Sequence, residues 1–184
     1  MLEKIITLLK TGQANNIELA YQLRLSTKIS LWPLERGIKD LLYLSKTQPV
    51  FDFDDLFLGQ LCHLLPEVIA LAVHNPNLKQ LPEQFYFMPN LRILELANIP
   101  IQELPDNLND LKQLKSLSIR NTFIKALPAN LSELKNLTSL ILVDNPNLTT
   151  LPSFISTLPN LKTLRISKNL IASVPKGNFE VVVL

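Results

Sequence analysis

A pattern of 23 residues, written five times, constrains the fold of this chain more than any other feature of its sequence. The repeats begin at Val68, Leu91, Leu114, Leu137 and Leu161. Apolar residues occupy places one, four, six, eleven and fourteen of each repeat, and a proline follows at place fifteen. The fourth repeat carries one additional residue, which moves its last apolar places along by one. Periods of this length are typical of solenoids, in which each repeat forms one coil.

Each repeat contains two phases with different spacing. Places four to six alternate between apolar and other residues, which is the two-residue period of a strand. Later places are separated by three or four residues, as in Leu104, Leu108 and Leu111, and this spacing predicts a turn of α-helix or 3₁₀-helix. The proline between the phases has no amide hydrogen to give to a sheet. Because one repeat cannot bury its own leucines, we expect stacking to align Leu94 and Leu117 with their equivalents in a buried column.

With these motifs, residues 68–184 resemble the 23-residue class of leucine-rich repeat found in intracellular scaffold proteins and in bacterial proteins. The resemblance implies an α/β fold, a right-handed horseshoe with parallel inner strands and helical or 3₁₀ outer turns. It also implies that a protein or peptide partner binds the concave face. The family's turn-capping asparagine at place nine occurs here only as Asn145 and Asn169, whereas Asn98, Asn121 and Asp144 stand at place eight. We therefore expect looser turns in the earlier repeats.

Residues 1–67 lack the repeat register but are rich in leucine at helical spacing, which predicts an α-helical N-terminal cap on the first repeat. The alternative is a separate small helical domain with its own partner. At the other end, the apolar run 181–184, which contains three β-branched valines, predicts a strand. Leu184 lies 23 residues after Leu161, where a sixth repeat would begin. The chain therefore either ends in a short capping strand or continues as further protein.

Composition narrows the compartment and the classes of partner. Cys62 is the single cysteine, the chain has no run of eighteen apolar residues, and we interpret residues 1–10 as an amphipathic helix and not as a signal peptide. These features predict a cytoplasmic protein, or one delivered into the cytosol of another cell, that does not enter a membrane. The net charge is +2, which does not favour a nucleic-acid partner.

The candidate binding residues are the outward positions of the inner strands. The sequence predicts that a protein or peptide partner contacts Ile93, Glu95, Ser116, Ser118, Arg120, Ile141, Val143, Thr163, Arg165 and Ser167. This set combines an apolar strip (Ile93, Ile141 and Val143) with small hydroxyl groups and with charges. Lys162, Arg165 and Lys168 also form a basic edge on the last repeat. A solvated face is the competing interpretation of these residues.

No constellation of residues predicts catalysis, a metal or a cofactor. His63 and His74 lack the spacing of a zinc site. Cys62 is best interpreted as a small core residue, although it stands beside His63. The acidic cluster at residues 52–55 lacks the glycine and spacing of a calcium loop, and four glycines in total are too few for a phosphate-binding loop.

The sequence thus predicts a non-catalytic protein-interaction module. The alternative is the targeting or substrate-recognition half of a larger bacterial enzyme (a ubiquitin ligase, kinase or GTPase) whose catalytic domain lies outside this sequence, because similar bacterial arrays precede such domains.

Overall fold

The computed structural model describes residues 69–74, 76, 78–81 and 88–184. Within them, six strands form one parallel sheet whose spatial order follows the chain. The strands are β1 (Ala70–Val73), β2 (Ile93–Ile99), β3 (Ser116–Thr122), β4 (Ser139–Val143), β5 (Thr163–Ile166) and β6 (Glu180–Val183). Four 3₁₀-helices of the described part span Asp106–Asp110, Ala129–Glu133, Ser153–Thr157 and Lys168–Ser173. The predicted solenoid of parallel strands and 3₁₀ turns is confirmed.

The register of the sheet advances by one repeat from each strand to the next. Leu94 lies opposite Leu117, Leu117 opposite Leu140, and Leu140 opposite Leu164. All four are buried, as are Leu96, Ile119, Leu142 and Ile166 at place six. The predicted leucine column is therefore present, and it forms one continuous core with the apolar residues of the outer turns.

Proline marks the point at which the outer turns begin. Pro105, Pro128 and Pro152 are extended, with φ between −65° and −71°, and each directly precedes a 3₁₀-helix. Proline favours this φ and its missing amide hydrogen costs nothing before the first turn. The next leucine or isoleucine, such as Leu108, then turns inward and is buried.

Asparagine and aspartate at place eight allow the strands to turn. Asn98, Asn121 and Asp144 have φ of 56°, 49° and 57°. This left-handed region is costly for most residues but is tolerated by asparagine and aspartate. The place-eight residues therefore have a backbone role, which explains why this residue type recurs there.

The expected loosening of the earlier turns is not seen in the third repeat. Strands β2 and β3 are the longest described, at seven residues each, and both extend through place nine. Thr122, at place nine of the third repeat, is buried and its hydroxyl donates to Asn145 Oδ1 over 2.7 Å. Asn145 of the fourth repeat thus stabilises the turn of the third repeat, which has no asparagine of its own at place nine.

The last repeat departs from the predicted apolar pattern. Leu170 is buried there, whereas Ile171, which the repeat register places inward, is 50% exposed. The cause is that the 3₁₀-helix begins at Lys168, earlier in the repeat than in its neighbours. Lysine at place eight does not favour the left-handed turn, so the chain enters the helix at once and the inward position shifts by one residue.

The run at the C-terminal end forms β6, which pairs in parallel with β5. Val181 lies opposite Leu164, so the chain returns to the sheet after 17 residues and not after 23. Leu184 therefore does not begin a sixth repeat; its amide donates to Ile166 O over 2.9 Å at the end of the strand. The short sixth strand is thus present.

The predicted helical cap of residues 1–67 lies outside the described residues, as do Cys62, His63 and the acidic cluster at 52–55. In the part of the chain that the structure describes, no helix is long and apolar enough to cross a bilayer.

Candidate functional site: the open face of the sheet

The outward side chains of the six strands form three rows across the sheet, which we call the open face. The first row follows place three and contains Ala70, Ile93, Ser116, Ser139, Thr163 and Glu180. The second follows place five and contains Ala72, Glu95, Ser118, Ile141, Arg165 and Val182. The third follows place seven, beyond or at the end of the shorter strands, and contains His74, Ala97, Arg120, Val143 and Ser167. All ten predicted binding residues therefore belong to one face.

Apolar side chains on this face fall into two separate groups. Ile93 is 50% exposed at the start of β2. Ile141 and Val143 are half-buried neighbours on the same side of β4. Strand β3 lies between the two groups, since Ile93 pairs with Ser116 and Ser116 pairs with Ser139. The three apolar residues therefore lie on one face, but the serine-bearing strand β3 separates Ile93 from the other two.

Ser118 does not reach the surface, although its position on the strand points outward. Only 7% of it is exposed, and the neighbouring Ala97 is buried as well. The Nε of Arg120 donates to Ser118 Oγ over 3.1 Å, so the arginine side chain lies back along its own strand. A partner at this place would contact the guanidinium of Arg120 and not the serine.

Charges on the open face are unevenly distributed. His74 Nε2 and Glu95 Oε1 are 3.5 Å apart at the first two strands, where they form an ion pair when the imidazole is protonated. Arg120 and Arg165 are exposed on β3 and β5. Their Cα positions are separated by two strand spacings across the sheet and by two residues along the strands, which corresponds to about 12 Å. The face therefore carries an acidic side chain on β2 beside His74, basic side chains on β3 and β5, and a second acidic side chain, Glu180, on β6.

Ser167 and Thr163 differ in how freely they can bind. Ser167 Oγ accepts a hydrogen bond from the Asp144 amide over 2.8 Å, which occupies one of its acceptor sites and ties the fourth repeat to the fifth. Thr163 is half-buried within β5, opposite Ser139. Both lie on the face, but the hydroxyl of Ser167 already has a structural role.

Glu180 and Val182 belong to the open face but were not among the predicted binding residues. They extend the first two rows by one strand. The β-branched run 181–183 predicts a strand, yet its register cannot be read from the repeat because the return is six residues shorter. The only signal in the sequence was the tendency of residues 181–183 to form a strand, and this tendency does not predict which residues of β5 they pair with.

A small cavity among the described residues lies away from the open face. Within the described ranges, no three histidine, cysteine, aspartate or glutamate side chains lie close enough together to hold a metal ion. A cavity of about 200 Å³ lies instead beside the leucine-proline turns, lined by Lys79, Gln80, Leu81, Glu103, Leu104 and Pro105. Drug-sized ligands occupy larger cavities of about 300–1,000 Å³. The arrangement of the open face suits contact with an extended surface.

Comparison with known proteins gives one family and several related structures. Residues 68–176, more than half of the chain, match the family model described as "Leucine-rich repeat region". No curated protein matches the chain at a significant level.

The chain is similar to three solved bacterial structures. A leucine-rich repeat protein of Leptospira interrogans shares 27% identity, with a TM-score of 0.49, over 68% of this chain and 29% of that one. An internalin of Listeria monocytogenes shares 20% identity, with a TM-score of 0.48, over 81% and 44%. The leucine-rich repeat domain of the type III effector XopL shares 23% identity, with a TM-score of 0.48, over 84% and 63%. The chain spans less than two thirds of each of these solved chains.

Three observations agree: the register advances by one repeat per strand, the leucines stack in a single column, and the family model covers residues 68–176. This chain belongs to the leucine-rich repeat proteins.

Proposed function

We propose that this protein is a non-catalytic interaction module that binds a protein or peptide on the concave, open face of its sheet. The observation that carries the proposal is the arrangement of Arg120 and Arg165 around the half-buried pair Ile141 and Val143. Arginine is enriched among the residues that contribute most to binding energy at protein interfaces, and the apolar pair adds area that a partner can remove from water. Function depends on such a surface and not on the fold itself.

The size of the face supports a macromolecular partner. Six strands at about 4.8 Å spacing extend over about 24 Å, and three rows of side chains cover about 14 Å along the strands. A standard protein interface buries about 800 Å² on each partner. The open face offers roughly half of that as a flat projection, so a partner of ordinary size also contacts the edges of the sheet.

Specific roles follow from side-chain chemistry. Arg120 and Arg165 each present a planar guanidinium that can hold a carboxylate by two parallel hydrogen bonds. Between them, Ile141 offers an apolar surface, since it lies opposite Arg165 in the register. We therefore expect the partner to bring an apolar side chain flanked by two carboxylates.

The test is a double charge reversal, Arg120→Glu with Arg165→Glu, in the full chain. We expect this variant to lose the partner that the wild-type protein captures from the lysate of its source cell, because carboxylates then oppose carboxylates. The matched control is Lys125→Glu with Lys176→Glu, which changes the net charge equally at exposed positions outside the open face. Both variants should melt within about 2 °C of the wild type, since surface substitutions change stability little. Undiminished capture by the arginine variant would move the binding site off this face.

The cytoplasmic location is also part of the proposal. It is supported by the single cysteine, Cys62, because secreted arrays of this family often carry disulfide-bonded caps. Fractionation of the source cell tests it, and recovery only from an extracellular fraction would refute it. The alternative role, as the recognition half of a larger bacterial enzyme, would use the same face to select a substrate. The arginine variant would then abolish substrate selection and leave catalysis by the attached domain unchanged.

A further inference from the structure

A row of cations lies along the edge of the sheet at which the strands begin. Arg92, Lys115 and Lys162 directly precede β2, β3 and β5, and all three are exposed. The Lys115 amide donates to Arg92 O over 2.8 Å, and the Thr138 amide donates to Lys115 O over 2.8 Å. The Lys162 amide in turn donates to Thr138 O over 2.9 Å. These residues therefore occupy successive rungs of one ladder at the rim of the open face.

Two further lysines lie beside this row. Lys112 lies near the end of the second repeat, three residues before Lys115, and Lys135 lies near the end of the third repeat, three residues before Thr138. Asparagine side chains fix their backbone, since Asn136 Nδ2 donates to Lys112 O and Asn160 Nδ2 donates to Lys135 O, each over 2.8 Å. We call the five residues Arg92, Lys112, Lys115, Lys135 and Lys162 the basic rim.

Acidic residues neutralise only a small part of the basic rim. Lys112 Nζ pairs with Glu133 Oε2 over 2.9 Å, and Lys135 Nζ donates to the Ser132 carbonyl. Arg92, Lys115 and Lys162 form no ion pair with any described residue. Arg92 and Lys115 are one rung apart, where like charges repel each other. Their arrangement thus does not stabilise the fold, and their exposed charges are accessible to a partner.

The opposite edge of the sheet has a different character. Its corresponding row consists of Asn98, Asn121, Asp144 and Lys168, which together carry no net charge. Because the two edges differ, a charged partner that lies across the open face meets a distinct electrostatic environment on each side. The edges therefore define the direction in which a partner can lie.

We propose that the partner protein on the open face also has an acidic, extended segment, and that the basic rim binds this segment. This inference rests on the proposed function and specifies the chemistry of its partner. An interface of ordinary size is larger than the open face and therefore also covers an edge of the sheet. The basic rim lies along one of the two edges. The ladder from Arg92 to Lys162 spans three rungs, about 14 Å, which is the length of about four extended residues.

A narrow line of charge fits a peptide better than it fits a lipid surface or a nucleic acid. A membrane contacts a broad basic patch or inserts several apolar groups, whereas the rim is two rows wide and a single exposed apolar residue, Ile69, stands at the rung before Arg92. Single-stranded nucleic acid stacks its bases on aromatic side chains, and none of the five rim residues is aromatic.

The experiment measures binding of a fluorescein-labelled oligoglutamate of about eight residues, twice the length of the ladder, by fluorescence anisotropy with the full chain. The rim variant is Lys115→Glu with Lys162→Glu. The control is again Lys125→Glu with Lys176→Glu, which has the same net charge. We expect the rim variant to bind at least about tenfold more weakly and the control to remain within about twofold of the wild type. Wild-type binding should also weaken as salt rises from about 50 to 200 mM.

Three results would overturn the inference. Equal weakening in both variants would indicate bulk charge only, and absence of wild-type binding would show that the rim does not recognise carboxylates. Rim-dependent binding that is tighter to phosphatidylserine vesicles or to an oligonucleotide would assign the rim to another class of partner. Failure of the proposed function is a separate result, because it is measured as continued capture by the Arg120→Glu, Arg165→Glu variant.

Discussion

Replacing Asn145 by alanine should cost more stability than any other substitution of a polar residue in the described repeats. Asn145 is only 4% exposed. Its Nδ2 donates to Ile119 O over 2.9 Å, and its Oδ1 accepts from both the amide of Thr122 (3.1 Å) and the hydroxyl of Thr122 (2.7 Å). One side chain thus supplies three buried hydrogen bonds between the third and fourth repeats.

The magnitude follows from these three bonds. Each buried hydrogen bond contributes about 1 kcal/mol, which gives about 3 kcal/mol for the Asn145→Ala substitution. The loss is not recovered through water easily, because Thr122 is 1% exposed. A repeat region of this size is expected to have a total stability of about 6–17 kcal/mol. The substitution should therefore remove a large part of the stability without changing any apolar contact in the core.

The assay is urea unfolding followed by circular dichroism, with amide exchange of Thr122 as a local measurement. Asn147→Ala is the matched control, because its exposed side chain makes one bond of 3.3 Å to Phe123 O in the same turn. We expect the control to lose less than about 0.5 kcal/mol. We also expect the Thr122 amide to exchange faster only in Asn145→Ala. If the two variants lost equal stability, the conclusion that Asn145 holds the turn would be wrong.

Three further sets of substitutions test the core, the turns and a surface pair. Leu117→Ala should cost about 2–5 kcal/mol and Leu117→Asp should unfold the array, as seen by loss of the circular dichroism signal, whereas the outward Ser116→Asp should remain folded. Asn121→Val should cost about 1–2 kcal/mol in urea unfolding relative to Asn121→Gly, since a β-branched residue disfavours the φ of 49°. The hydrogen bond from Lys112 lowers the pKa of Glu133 from 4.5, so this pair stabilises the fold above that pH and its contribution is lost as pH falls through the lowered pKa. Lys112→Ala should therefore raise the pKa of Glu133 in an NMR titration, and an unchanged pKa would contradict the assignment.

The buried part of the fold could be predicted because one physical requirement is repeated. Places four and six alternate with outward residues, and only stacking can bury them, so the column containing Leu94 and Leu117 followed from spacing alone. The last repeat could not be predicted in the same way. Lys168 replaces asparagine at place eight, and the resulting early helix buries Leu170 and exposes Ile171. The spacing of apolar residues is compatible with burial of either Leu170 or Ile171, and the backbone conformation at place eight determines which of the two is buried.

The open face was predictable as a set of positions but not as a surface. Strand alternation assigns Ser118 to it, yet the rotamer of Arg120 determines that the serine is covered. The interruption between Ile93 and Ile141 follows from the numbering of the repeats, since two strand spacings separate them. Three residues of the basic rim were also recognisable in the sequence, because they stand at place two. Its significance required the ladder of backbone bonds that connects Arg92, Lys115 and Lys162.

Polar residues in this array divide into those that connect repeats and those that are free to bind. Asn130, Asn136, Asn145 and Asn160 each donate a side-chain amide to a backbone carbonyl of the preceding repeat. Each bond connects one repeat to the preceding repeat and fixes their relative position. These asparagines therefore help to set the register of stacking, which the packing of leucines alone does not specify. Arg92, Lys115, Lys162 and Arg165 make no such connection with a described residue. Lys112 is the exception in the basic rim, because it pairs with Glu133 of the next repeat. The repeats can therefore change their binding surface without changing their register, since different places of the same coil perform the two tasks.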